Sequence, residues 1–227
     1  MERAAEHYWT GRWDEVVRTA DDAVAASTAG PYHVLANQCR WWRGRVRLAR
    51  GDLDGALDDA ERALEQARRS GDPQSLDPAL AFAARCLLTA GRPEEADELV
   101  SGLLAGLRER LIMPAAGVDL AIDLVALGHA AEELEVALPS RWLDAARAMV
   151  AGDARQAADT YAAIGSRPDE AYARLQAARQ LLLTGQAAAA NAELAVAHAF
   201  FRKVDAGAQL AEITQLFTAL LAPRPEP

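Results

Sequence analysis

Lysine is nearly absent from this chain: of 24 basic residues only Lys203 is a lysine, a bias expected of a GC-rich genome and silent about function. Cysteine is scarce too. Cys39 and Cys86 both fall inside helical patterns, which excludes a disulfide framework and reads as two buried free thiols in a reducing cytoplasm. Aromatic residues make up 6% of the chain, so packing must rest on alanine and leucine. There is no basic excess. The net charge is −9, which argues against a nucleic-acid surface. No apolar run approaches the roughly 20 residues of a membrane span, and the opening MERAAEHYW lacks the basic segment and apolar core of a secretory leader. The phosphate loop G-x-x-x-x-G-K-[ST] is missing, as are H-E-x-x-H and any Cys/His cluster. His7, His33, His129 and His198 are scattered and read as ordinary helix or loop residues. These absences point to a non-enzymatic cytoplasmic chain with no metal, cofactor, membrane or nucleic-acid partner.

What is present is a recurring hairpin. Gly51–Leu64, GDLDGALDDAERAL, contains a turn and most of a second helix. Gly51 can take the positive φ that ends a helix, and Asp52 can cap the next one. Ala56, Ala60 and Ala63 then share one helical face. The same frame recurs at Gly11, Gly91, Gly128, Gly152 and Gly185. Seven residues before the six glycines stand Ala4, Gly44, Ala84, Ala121, Ala145 and Ala178, all small. Five after stand Val16, Ala56, Ala96, Glu133, Ala157 and Ala190, with Glu133 the exception. Nine after stand Ala20, Ala60, Val100, Ala137, Tyr161 and Leu194.

A small residue, a gap of seven, a glycine, and alanines five and twelve later resemble the tetratricopeptide repeat. The resemblance runs from Ala4 to about Val204. It is strongest at Gly51, Gly91 and Gly185 and weakest at Gly128. It implies antiparallel helix pairs stacked into a superhelix, with first helices on the concave side. The glycines are 40, 40, 37, 24 and 33 residues apart, against a usual period of about 34, so the array is an irregular solenoid. The expected fold is all-α: a TPR-like α-solenoid of about six hairpins and about thirteen helices, with a C-terminal capping helix. It forms one helical-repeat domain over 1–222, followed by a disordered tail, 223–227.

Punctuation along the chain sets the units. Gly30-Pro31 ends the first hairpin, which starts at Glu2. Helices of about Tyr32–Arg50 and Leu53–Arg69 form the second, closed by Ser70-Gly71-Asp72-Pro73. Asp77-Pro78 restarts the third as N-cap and first helical residue, turning at Gly91 and ending near Arg110. The fourth begins around Met113-Pro114 and has a short second helix closed by Pro139. The fifth covers about Ser140–Gly165. Ser166-Arg167-Pro168-Asp169 precedes the sixth, and Ala208–Leu221 covers its open face with Leu210, Ile213, Leu216, Phe217 and Leu220. A final repeat closing on Phe200-Phe201-Arg202-Lys203-Val204, then one helix, resembles the C-terminal repeat region of large bacterial signalling ATPases of the class III cyclase-linked or LuxR-type regulator kind. That resemblance implies a scaffold role. Nucleotide binding, cyclase activity and DNA binding are not carried over, because their motifs are absent.

Candidate sites are few. Asp52, Asp54, Gly55, Asp58 and Glu61 imitate a calcium loop, but Arg50 stands where the first ligand belongs, and turn, cap and solvated face explain the same residues. Trp41-Trp42 suggests one ring packed between repeats and one partly exposed. Six residues before the turn glycine, Arg45, Arg85 and Arg179 fall at an offset that in the family faces the concave groove. Their guanidinium forks suit carboxylates or phosphates, as in an acidic peptide tail, or else pair with neighbouring acids such as Glu94 or Glu95. Tyr8, Trp9 and Trp13 are candidates for an N-terminal docking face against another repeat or domain, the alternative being burial against the second unit.

The expected function is therefore a non-enzymatic scaffold for protein–protein interaction, the repeat module of a bacterial signalling or transcription-regulating ATPase. Its partner would be a protein or peptide, with an adjoining ATPase or regulator domain as the candidate. The alternative is a small-molecule effector-binding sensor. Ala60→Trp tests the face assignment on which the repeat rests. The substitution should overpack the second hairpin and lower stability by about 1–3 kcal/mol, measured by thermal or urea unfolding; unchanged stability places Ala60 on the wrong face.

Overall fold

A computed structural model describes the chain except for residues 1, 29–33, 108–113, 130–133, 135–139 and 222–227. Among the described residues there are twelve helices and no strand. They are α1 (Glu2–Trp9), α2 (Trp13–Thr28), α3 (Val34–Arg50), α4 (Leu53–Ser70), α5 (Pro73–Thr89), α6 (Pro93–Leu107), α7 (Pro114–Leu127), α8 (Arg141–Val150), α9 (Ala154–Ile164), α10 (Arg167–Leu183), α11 (Ala187–Lys203) and α12 (Gly207–Leu221). The short helix expected after Gly128 lies outside the described residues.

The hairpin turn repeats atom for atom. Gly51 adopts φ +89° and its N–H donates to the Leu48 carbonyl, while the Asp52 N–H donates to Arg47 O. Asp52 Oδ1 then accepts from Gly55 N, capping α4. The same two backbone bonds recur after α1, α5, α7, α8 and α10, each with glycine at positive φ. A seventh turn of this kind joins α11 to α12 with no glycine at its left-handed position. There Asp205 takes φ +58° and Ala206 N donates to Phe201 O; aspartate is among the few other residues that tolerate this region.

The small-residue register has a direct cause. Ala4, Ala84, Ala121, Ala145 and Ala178 are all fully buried, as are Val16, Ala56, Ala96, Ala157 and Ala190. At Gly44 a Cβ would come within 2.6 Å of the buried Phe82 ring and 3.2 Å of Asp59 Cβ. Neighbouring hairpins approach too closely there for any side chain. One expected boundary is corrected. α5 starts at Pro73, not at Pro78, because Asp72 Oδ1 accepts from Gln74 N and supplies the cap, and Pro73 fills the first position. Pro78 sits inside the helix.

A polar hub joins the second hairpin to the first. Asp59 is wholly buried, and Arg43 grips it through Nε and Nη2 while Arg47 Nη1 reaches Oδ2 at 2.9 Å. Arg43 Nη1 also reaches Asp21 on α2. Cys39 and Cys86 are buried free thiols.

The array bends until its ends meet. Trp13 packs edge-on against Phe200 at 5.9 Å, Arg50 donates to the Val204 carbonyl, and α12 lies against α3 as well as α10 and α11. α1 touches α3 and α10. One hydrophobic cluster accordingly contains residues of both ends, from Ala4 and Tyr8 to Phe201 and Ile213, and a second runs from the third hairpin to the first helix of the sixth. α12 is thus not only a cap on the sixth unit; it closes the ring. Gly44→Ala should lower stability by about 1–3 kcal/mol despite alanine's better helix propensity. Urea unfolding checks this, and a neutral or stabilising result would mean that Phe82 has room to withdraw.

Candidate functional site

The first helices of five hairpins, α1, α3, α5, α7 and α10, line a cavity of about 250 Å³ together with α12, Trp13 of α2 and Phe201 of α11. Arg45 occupies its floor. The residue is 7% exposed, and Nη2 lies 3.2 Å from Asp119 Oδ1 and 3.4 Å from Asp169 Oδ1. Its guanidinium stacks over three rings, 4.6 Å from the centre of Tyr8, 5.4 Å from Trp41 and 5.5 Å from Trp42. Burial works against the charge on Arg45, but the fields of Asp119 and Asp169 outweigh it and hold the group protonated. Burial raises the pKa of both acids, and Arg45 offsets this only in part, since one cation is shared between two carboxylates. Ser166 Oγ donates to Asp169 Oδ2.

Arg85 stands one repeat further on. Nη2 donates to the Tyr172 hydroxyl at 3.3 Å, the guanidinium sits over the Tyr172 ring, and Nη1 is 4.0 Å from Asp123 Oδ1. Asp123 is wholly buried, and neither oxygen has a hydrogen-bond partner among the described residues. Burial drives its pKa well above the ordinary carboxyl range; Arg85 opposes the shift and Asp119 adds to it. Arg179 pairs with Glu212 of α12 at 2.8 Å. Burial also raises the Glu212 pKa, against the pull of Arg179.

The three arginines singled out by register therefore do not form a bare cationic groove. Arg45 and Arg85 line one cavity, Arg179 reaches it through Glu212, and each faces a carboxylate from another helix rather than Glu94 or Glu95. Tyr8, Trp9 and Trp13 do not form an exposed face either. Tyr8 and Trp13 are buried and stack on each other at 5.5 Å, and the half-buried Trp9 packs against Trp42 and Trp142. All five tryptophans belong to this connected aromatic set. Both Trp41 and Trp42 are buried, so neither is the expected exposed ring.

Asp119, Asp123, Asp169, Tyr172, Gln209 and Glu212 were not singled out from the sequence. Register does not mark them. Nine residues before the turn glycines stand Trp42, Phe82 and Leu143 but also Glu2, Asp119 and Gln176, and five before stand Val46 and Cys86 but also Glu6, Asp123, Arg147 and Gln180, so a polar residue at either offset is no signal of a buried charge.

No group of three metal-ligating side chains occurs among the described residues, and no described helix is long and apolar enough to cross a membrane. The fold defines the class: an all-α helical-repeat solenoid. Residues 47–110, which carry the turns at Gly51 and Gly91, match the tetratricopeptide repeat family, so the chain contains a TPR-like region. No match was found among curated proteins.

Arg45→Met should cost about 3–5 kcal/mol, because Asp119 and Asp169 would stay buried without their cation. Adding Asp119→Asn and Asp169→Asn to that variant should recover much of the loss, as read by denaturant unfolding. The buried Asp123 gives a pH signature. Its folded pKa is raised, so the stability it contributes is full below the unfolded carboxyl value of about 4 and is lost as pH rises through the folded value. Asp123→Asn cannot lose it, so the Tm advantage of the variant over wild type should widen from pH 4 upward. A pH-independent difference would mean that Asp123 is ionised in the fold throughout.

Proposed function

We propose that the chain is a single non-enzymatic helical-repeat domain over residues 1–222 that mediates protein–protein interaction in the cytoplasm, as the repeat module of a bacterial signalling or transcription-regulating ATPase. Repeats of the matched family generally serve as scaffolds for protein partners. The observation that carries the reading is the repeated hairpin itself, with one turn geometry used at every unit among the described residues. The concave side is occupied by α1, α12 and the aromatic set, so a protein partner meets the outer helices and the turns, and a long peptide has no groove to follow. The surface there is acidic overall, in keeping with a protein rather than a nucleic-acid partner. Co-expression with an ATPase or regulator domain encoded beside this chain should give a complex that co-elutes from a sizing column. Separate elution, with no change in hydrogen exchange on the outer helices, counts against the scaffold role.

A second reading, a sensor solenoid that holds a small effector, is favoured by the closed ring and its polar cavity. Thermal stabilisation by a metabolite with no protein partner present separates it from the scaffold.

A further inference from the structure

The cavity leaves hydrogen-bonding groups of both kinds unanswered. Among the described residues, Arg45 Nη1, Asp119 Oδ2 and Gln209 Oε1 have no hydrogen-bond partner, and all three residues line it. Arg85 is committed only to the Tyr172 hydroxyl, with Asp123 at the long distance of 4.0 Å. A buried guanidinium with uncommitted donors and a carboxylate with a bare oxygen are each costly when left unmatched. They persist here side by side in residues that line one space, with Arg45 Nη2 3.2 Å from Asp119 Oδ1.

We propose that this cavity binds a small zwitterion, an α-amino acid with an apolar side chain, its carboxylate held by Arg85 and its ammonium by Asp119, Gln209 and Glu212. The inference rests on the sensor reading and names its ligand. Charge selects the class. The lining carries Arg45 and Arg85 against Asp119, Asp169 and Glu212, and Arg179 is already paired with Glu212, so cations and carboxylates around the space balance. An added anion or an added cation would upset that balance. A zwitterion adds no net charge and meets donors and acceptors at once. Size sets the scale. About 250 Å³ falls below the roughly 300 Å³ at which pockets for drug-sized ligands begin. Leu48, Phe82, Ile122 and Phe201 supply the apolar wall for a side chain. The position of α12 supplies a consequence: Ala208, Gln209 and Glu212 form one wall, so an occupant ties the ring-closing helix to α3, α5 and α7.

The test uses the whole chain, a panel of common sugars and nucleotides, and three matched sets of probes: the twenty common amino acids, isoamylamine and phenethylamine as amines alone, and 4-methylpentanoate and 3-phenylpropanoate as acids alone. At least one apolar amino acid should raise the Tm and titrate one-to-one in calorimetry. It should also change the fluorescence of the tryptophan set, since Trp13 lines the cavity. The amines and acids should bind at least about tenfold more weakly, and Arg85→Gln should weaken the amino acid by about tenfold or more. Gln209→Leu, on the less buried α12, should weaken it by about three- to tenfold and leave the circular dichroism unchanged. Should Arg85→Gln fail to fold, Gln209→Leu and the probe series still decide. Equal binding of an amine or an acid alone overturns the zwitterion. Stabilisation by a sugar or nucleotide but by no amino acid overturns the ligand class while sparing the sensor reading, and no stabilisation by any small molecule overturns both.

Discussion

The structure depends on one buried cation. Arg45 reaches from α3 to Asp119 on α7 and Asp169 on α10 while lying over Tyr8 of α1, so four helices from four hairpins converge on one guanidinium. In water such a charge would prefer its hydration shell, and desolvation must be offset by both carboxylates and by the ring faces. That requirement is directional. Apolar packing alone would accept many curvatures of an alanine-rich solenoid, whereas Arg45 is satisfied only when the first, second, fourth and sixth units stand around it.

Closure follows from that convergence and changes what a repeat array can do. An open superhelix offers its concave side to a peptide. Here α1 and α12 have entered that side, the tryptophan set fills much of it, and a small cavity with mixed polarity remains among the described residues. The outer helices keep the polar, acidic faces of an ordinary repeat surface. On the two proposed readings, interaction with another protein and binding of a small molecule would fall on opposite sides of the same wall. The first helices are the structural link between them.

Register legibility differed between fold and site. The hairpins could be read because each needs a left-handed turn residue and a closely approached small residue at fixed spacing, and both requirements are local. Gly44 facing Phe82 shows how closely neighbouring hairpins approach at that offset, which alanine fills in the other five units. Arg45 and Arg85 could be placed on the inner side by the same register. Their partners could not, since Asp119 and Asp169 lie in hairpins two and four units away from Arg45 and follow no common offset. Trp41 and Trp42 were misjudged for a related reason. On an isolated hairpin adjacent residues diverge by about 100°, yet in a closed ring both directions point inward.

By itself the sequence determined the helical class, the turn positions, the small-residue contacts between hairpins and the absence of a phosphate-loop motif. Each of these is set within one or two turns of helix. Only the tertiary structure decided that the ends meet, that the N-terminal aromatics are interior and that the arginines face acids. Curvature accumulates over many small inter-repeat angles, and the contacts that stop it, such as Trp13 with Phe200 and Arg50 with the Val204 carbonyl, join residues more than 150 apart in the chain. No periodic pattern encodes such a meeting; it exists only once the whole array has packed.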